Sequence, residues 1–377
     1  VKILHVINSL ELAGAETLLT DLALRLSQQN IDVEIYALKA SGSLLEEKVK
    51  RSGVRLYFSP ISSVYSPLQI PMLVKHLFRH KYDLIHVHLF PAQLWAACAA
   101  SFAHIPMITT EHSTYNRRRT VFFRMLDRWM YKRYRAVVTI SKATAVALSN
   151  WLPEIAKRIC TIFNGIEVSY FANAQSVDIK ALPSLQRPLL VSVGRLEQEK
   201  DQVTLLKSLP YLETAHLLLI GDGPMRGQLQ ELASQLGVTH RVHFLGRRVD
   251  VPNLLKIADV YIQPSRWEGF GIATLEAMAA GVPVVVSRVA GLKDVVGDAG
   301  LLFEPGNERE LAEKITALLT SQEACRQYAA RGQVRAMQFD IKQTVEQYKD
   351  LYLQIIGKKT MKLNTSFLEK PDRVDRY

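Results

Sequence analysis

Two glutamates define the chemistry open to this chain. Glu268 and Glu276 stand in the run Pro264-Ser-Arg-Trp-Glu-Gly-Phe-Gly-Ile-Ala-Thr-Leu-Glu276, with seven residues between them. Gly269 and Gly271 break its first part into a loop, and Ala273 to Ala280 favours a helix that Gly281 and Pro283 stop. A loop opening into a helix points unpaired N–H groups outward and carries about half a positive charge, which suits phosphate or other anionic oxygens. Glu276 offers a planar carboxylate fork to a vicinal diol such as a ribose, and Glu268 can reach the adjoining group. The pair suggests a cradle for a sugar nucleotide.

A second constellation lies upstream. The apolar run Leu189 to Val193 reads as a buried strand leading into Gly194, Arg195 and Lys200. Gly194 permits close approach, Arg195 can grip two oxygens with its guanidinium, and Lys200 adds a flexible point charge, together a clamp for a diphosphate. Further strands are expected at His216 to Ile220, ending at Gly221 and Gly223, and at Val242 to Gly246, followed by Val249.

These groups need a scaffold, and the first half supplies the same pattern. Ile3 to Ile7 and Asp32 to Ala37 read as strands around a helix from Ala15 to Gln28, with Gly14 in the turn before that helix. Tyr82 to His88 alternates as a strand, and Met107 to Ser113 ends another with His112 at its carboxyl edge, where ligands of open α/β sheets gather. His86 and His88 are read as satisfied structural histidines. No His, Cys or Asp cluster has the spacing of a metal site, so no metal is expected.

At 377 residues and 48% hydrophobic content, the chain is long enough for two cored domains. Cys98, Cys160 and Cys325 fit neither a disulfide framework nor a zinc pattern; they are expected as buried small residues in a reducing cytoplasm. The first apolar run is too short for a signal peptide, and the longest, Leu94 to Ala103, is about half of the ~20 residues a spanning helix needs. Of the net charge of +11, residues 1 to 177 carry +9, from 21 Lys/Arg against 12 Asp/Glu. That field suits a phosphate-bearing acceptor, an anionic membrane or nucleic acid.

Much of it is concentrated in residues 117 to 135, where Arg117, Arg118, Arg119, Arg124, Arg128, Lys132, Arg133 and Arg135 alternate with Phe122, Phe123, Trp129, Tyr131 and Tyr134. In a helix, Arg124, Arg128, Lys132 and Arg135 form one basic stripe, offset by Asp127 alone. Two readings stand level: an acceptor or anionic-membrane contact, and a core helix with a solvated face.

The segment from Glu268 to Glu276, followed by Ala-Met-Ala-Ala-Gly-Val-Pro-Val-Val, resembles the signature of retaining glycosyltransferase family 4. Gly194-Arg195 with Lys200 resembles that family's donor-phosphate motif, Gly221-Asp-Gly223-Pro its nucleotide-bordering turn, and Gly14 with Glu16 its first glycine loop, although Ala13 stands where the family has a first glycine. The resemblance covers about residues 1 to 350. It implies a GT-B fold, two Rossmann-like doubly wound α/β domains facing each other across a cleft: residues 1–182 for the acceptor, 183–340 for the nucleotide-sugar, and a helix at 341–356 returning to the first domain; the Lys-rich, polar tail at 357–377 is expected to be mobile.

It further implies that Arg195 and Lys200 stabilise the departing diphosphate, that Glu276 holds the ribose, and that Glu268 with the backbone of Gly269, Phe270, Gly271 and Ile272 positions the sugar. His112 would face the donor sugar, and Gly14, Gly223 and Val249 would border the donor. No separate base is named, because the leaving phosphate itself is inferred to take the acceptor proton. The expected reaction moves a hexose or N-acetylhexosamine, from a UDP-sugar rather than a GDP-sugar, to a glycan or a polyprenyl-diphosphate-linked acceptor of bacterial surface polysaccharide. It needs no cofactor and takes place in the cytoplasm, peripherally on the inner membrane face, with no nucleic-acid partner. The alternatives are a nucleotide-sugar epimerase or phosphorolytic enzyme of the same architecture, and a non-enzymatic basic nucleotide- or nucleic-acid-binding protein.

Overall fold

The computed structural model describes residues 1–11, 13–114, 120–178 and 185–357. It divides into two compact units, the first formed by residues 1–112, 116–163 and 345–377 and the second by 113–115 and 164–344. The sequence boundary near residue 182 lies outside the described residues.

The first unit alternates strand and helix throughout: β1 (Lys2–Ile7), α1 (Gly14–Ser27), β2 (Asp32–Ala37), α2 (Leu44–Ser52), β3 (Arg55–Phe58), α3 (Gln69–Arg79), β4 (Leu84–His88), α4 (Ala92–Ala103), β5 (Met107–Glu111), α5 (Val121–Tyr131), β6 (Ala136–Thr139), α6 (Lys142–Trp151) and β7 (Ile159–Thr161). The seven strands are parallel in the order β3-β2-β1-β4-β5-β6-β7. Strand order therefore reverses between β1 and β4, the switch point at which such sheets open a crevice. One sheet face buries Leu4, Val6, Ile85, Val87 and Val137 against residues of α3 and α4.

Alternation puts the neighbours of those residues on the opposite face. His5 pairs in register with His86, and His88 with Thr110, so His5, His86, His88 and Thr110 line one surface. This surface is covered by the last helix, α15 (Ile341–Ile355), where the Tyr352 hydroxyl lies 2.7 Å from His86 Nδ1 and that of Tyr348 lies 3.0 Å from Thr110 Oγ1. Val345, Tyr348 and Tyr352 recur at helical spacing and are buried. Burying side chains of this size stabilises by roughly 1.5–3 kcal/mol each.

The second unit repeats the pattern with α7 (Val168–Ala172), β8 (Leu189–Val193), α8 (Gln202–Ser208), β9 (His216–Ile220), α9 (Arg226–Gln235), β10 (Val242–Gly246), α10 (Val251–Leu255), β11 (Val260–Gln263), α11 (Ile272–Ala279), β12 (Val284–Ser287), α12 (Ala290–Val296), β13 (Leu301–Phe303), α13 (Glu308–Thr320) and α14 (Gln322–Met337). Its six parallel strands run β10-β9-β8-β11-β12-β13, reversing between β8 and β11. Residues 164–178 group with this unit. Ile166 bridges to Asp340, and a Cβ on Gly165 would come within 2.7 Å of the Ile341 Cα, so only glycine fits where the chain meets the start of α15.

The cysteines are free and half-buried rather than fully buried. Burial still pushes the Cys160 thiol up to about 12. Among the described residues, no helix is long and apolar enough to cross a membrane.

Candidate functional site

In the second unit the switch point brings the two sequence constellations together. β8 ends at Val193 and hands the chain to Gly194, Arg195 and Lys200, while its neighbour β11 ends at Gln263 and leads to Glu268. Lys200 Nζ lies 2.5 Å from Glu268 Oε2, both side chains being largely buried. A chain of buried groups holds that carboxylate: Tyr261 OH donates to Gln263 Oε1 at 2.6 Å, Gln263 Nε2 donates to Ser265 Oγ at 2.8 Å, and Ser265 Oγ donates to Glu268 Oε2 at 3.3 Å. Ser287 of β12 fixes the loop by donating to the Ser265 carbonyl at 2.5 Å. Lys200 has three donors, so one can hold Glu268 while the others meet a phosphate.

The two loops are also stapled along their backbones. The Arg266 N–H donates to the Glu199 carbonyl at 2.9 Å, and the Arg266 guanidinium pairs with buried Asp201 at 3.2 Å. Arg195 is 63% exposed, with Glu197 at 2.8 Å and Glu199 at 3.6 Å from its guanidinium. Burial and the adjacent Glu199 raise the Glu197 carboxyl, whereas a hydrogen bond with Glu197 lowers Glu199. Exposed pairs of this kind contribute about 0–1 kcal/mol, so Arg195 can exchange them for a ligand at small cost.

Glycines set the shape of the site. Gly271 caps α11 at φ +95°, and a Cβ there would meet Leu292 Cδ2 at 2.5 Å. Among the described residues no side chain caps this helix. Glu276 is its fifth residue and is half-buried, and desolvation pushes its carboxyl up to about 8. Phe270 is buried edge-on against Phe339 with ring centres 5.6 Å apart. A Cβ on Gly223 would meet the Leu196 carbonyl at 2.4 Å, which keeps the two turns in backbone contact. Val249 is exposed beyond β10.

Gly14 and His112 lie in the first unit. Gly14 opens α1 and is exposed. His112 follows β5, half-buried, with its Nε2 at 3.4 Å from His88 Nδ1, and desolvation lowers its imidazole to about 4. His86 and His88 are buried. The expectation of no metal-like cluster needs correcting, because ligand atoms of His5, His86 and His88 lie within 4.8 Å of one another. Sequence spacing hid this, since His5 reaches the others only through the pairing of β1 with β4.

α5 resolves part of the basic stretch; Arg117, Arg118 and Arg119 lie outside the described residues. Lys132 ends this helix and Arg135 lies beyond it, so the four-residue stripe is shorter than expected. The exposed face carries Arg124 and Arg128 together with Phe122, Met125 and Trp129, with Phe122 79% and Met125 77% exposed. Asp127 does not face these cations in isolation as the only offset: it is buried and accepts from Trp151 Nε1 at 3.0 Å, and Glu154 pairs with Arg128 at 2.8 Å. Sequence reasoning missed Tyr261, Gln263, Ser265 and Asp201; the available signal was the run of polar side chains in and just after β11 and before α8.

The sequence model of Glycosyltransferase Family 4 matches residues 12–170, and that of Glycosyl transferases group 1 matches residues 175–335. The chain is 30% identical over 265 residues to the 2-deoxystreptamine glucosyltransferase of Streptomyces kanamyceticus, covering 63% of this chain and 68% of that protein. It is 26% identical over 391 aligned positions to an Escherichia coli protein described as UDP-Gal:alpha-D-GlcNAc-diphosphoundecaprenol alpha-1,3-galactosyltransferase, covering 95% of this chain and 98% of that one. Among solved structures, Anabaena HepE in complex with UDP-glucose superposes with a TM-score of 0.83 at 23% identity, covering 94% of this chain and 99% of its own. With two doubly wound sheets and these matches, the chain belongs to glycosyltransferase family 4, has the GT-B fold, and transfers a sugar from a nucleotide-sugar donor.

Proposed function

We propose that the chain moves a hexose or N-acetylhexosamine, with retention, from a UDP-sugar to a polyprenyl-diphosphate-linked glycan at the cytoplasmic face of a membrane. The observation that carries the donor half is the Lys200–Glu268 pair, held by Tyr261, Gln263 and Ser265 at the β8/β11 switch point. Lys200 and Arg195 neutralise the departing diphosphate, the N–H groups of the first turn of α11 receive oxygens of the donor, and Glu276 holds the ribose diol. Glu268 and the backbone of residues 269–272 orient the sugar, with His112 as a further sugar-contacting residue. Gly14, Gly223 and Val249 border the nucleotide. No separate general base is required if the leaving phosphate takes the acceptor proton.

UDP and a polyprenyl acceptor are supported by the end-to-end match to the E. coli enzyme whose name carries both. The membrane side is supported by α5, where Phe122, Met125 and Trp129 stand exposed among Arg124, Arg128 and Lys132. Apolar side chains insert at the headgroup boundary while each cation adds roughly 1 kcal/mol near an anionic leaflet. The test is transfer from a panel of UDP- and GDP-sugars to short polyprenyl-diphosphate glycans, with the product anomer read by NMR. Retention with a UDP-sugar is expected, and inversion or exclusive use of GDP-sugars would overturn the assignment. Equal partitioning onto anionic and neutral vesicles would remove the membrane contact.

A further inference from the structure

The histidine cluster of the first unit is a hydrogen-bonded chain that ends at His112. His5 Nδ1 lies 3.1 Å from His88 Nε2, and His88 Nδ1 lies 3.4 Å from His112 Nε2. His5 and His88 are buried, and their rings stack with centres 5.4 Å apart. Burial holds all three imidazoles neutral by lowering their pKa values. A neutral imidazole has one N–H and one lone pair, so a proton placed on any ring dictates the other two.

Only two arrangements satisfy both contacts. In one, His5 carries its proton on Nδ1 and donates to His88, which donates from Nδ1 to His112 Nε2, leaving His112 protonated on Nδ1. In the other every donor is reversed, and His112 keeps a bare Nδ1. The far end of the chain separates them, because His5 Nε2 is buried with no partner among the described residues. The first arrangement leaves a lone pair there and the second leaves an N–H, and buried orphan N–H groups are the rarer of the two. His86 stays outside the chain, its Nδ1 and Nε2 each at 2.7 Å from a hydroxyl, of Tyr352 and Thr110. Engagement of both nitrogens also argues against a metal held by His5, His86 and His88.

We propose that His5 and His88 are positioning residues that fix His112 as its Nδ1–H tautomer, so that the carboxyl edge of β5 presents an N–H donor to a sugar or phosphate oxygen of the substrate. The role rests on the reading of His112 as a donor-site residue. A donor suits a phosphate oxygen, which only accepts, and a sugar hydroxyl equally.

The test joins spectroscopy to kinetics. Long-range proton–nitrogen correlation on isotope-labelled histidines should show His112 with Nδ1 protonated and Nε2 bare, and a bare Nδ1 in the wild type overturns the proposal. His88→Leu should scramble the two tautomers of His112 and lower kcat about tenfold with KM within about twofold, the scale of one hydrogen bond. His88→Asn, whose amide replaces the Nδ1 donor, should restore both. In a His112→Asn background, which carries a fixed amide donor, His88→Leu should cost less than about twofold; an equal loss in both backgrounds assigns His88 a purely packing role and overturns the proposal. Joint shifts of the His5, His86 and His88 nitrogens on adding zinc would overturn it in favour of a metal site. Absence of transfer by the wild type would count against the functional reading alone, because the spectrum needs no donor.

Discussion

If Glu276 holds a ribose diol, nucleotide binding must carry a proton signature. Desolvation raises this carboxyl to about 8, whereas only the ionised form offers both oxygens as strong, charge-assisted acceptors to the two hydroxyls. Near pH 7 about a tenth of the molecules are then competent, so affinity should be about tenfold weaker than near pH 9.5. Binding near pH 7 should release close to one proton; a nucleotide phosphate, which titrates near pH 6, is by then mostly ionised. Glu276→Gln abolishes the titration and loses a charge-assisted contact, about 1.5–3 kcal/mol or roughly 10- to 150-fold near pH 9.5. Near pH 7 the gap should narrow about tenfold. Calorimetry with UDP and GDP in buffers of different ionisation heat reads both affinity and protons. Zero protons released near pH 7, with wild type and Glu276→Gln within about twofold at high pH, would refute the reasoning. The same group affects the free protein: the unfolded chain ionises above its ordinary 4.5 and the folded chain only above about 8, so stability falls as pH rises between them. Glu276→Gln should therefore melt above wild type at alkaline pH, and the difference should vanish below about pH 4.5.

Lys200→Met should lower kcat by about 10²–10³-fold, as for loss of one preorganised charge on a leaving group, with a smaller change in KM; a kcat within about threefold of wild type would remove Lys200 from the clamp. A Cβ on Gly291 would fall 2.2 Å from the Glu268 carbonyl. Gly291→Ala should therefore cost about 1–3 kcal/mol and displace the Glu268 loop, abolishing transfer, whereas Gly227→Ala in α9, where nothing lies within 4 Å, should be neutral or stabilising by thermal melting and activity. Finally, burial lowers the pKa values of His5, His86, His88 and His112, His5 to about 3 and His112 to about 4. Unfolded histidines bind protons below about 6.5 and the folded ones do not, so stability is complete above that value and falls as pH drops toward about 4. The melting midpoint should decline over this range, less steeply in His88→Asn, and a flat profile would contradict the buried neutral cluster.

Much of the frame was legible in the sequence because it rests on local rules. Short apolar runs marked β1 and β8, alternation marked β4, and Gly269, Gly271, Gly281 and Pro283 bounded α11. Arg195, Lys200, Glu268 and Glu276, the residues proposed for diphosphate and diol binding, could be singled out because each motif is contiguous. What the sequence left open depends on which strands become neighbours. Pairing of β8 with β11 places Lys200 against Glu268, 68 residues away, and recruits Tyr261, Gln263 and Ser265 behind it. Pairing of β1 with β4 assembles His5, His86 and His88, and α15 covers that surface from the far end of the chain. Only the packed fold could decide that α5 buries Met130 and Tyr131 and leaves Phe122 and Met125 in solvent, since its aromatic and basic residues fit either face. Motifs specify which atoms react with what; sheet order, a long-range property, specifies which of them meet, and burial then sets the protonation state of Glu276 and the histidines.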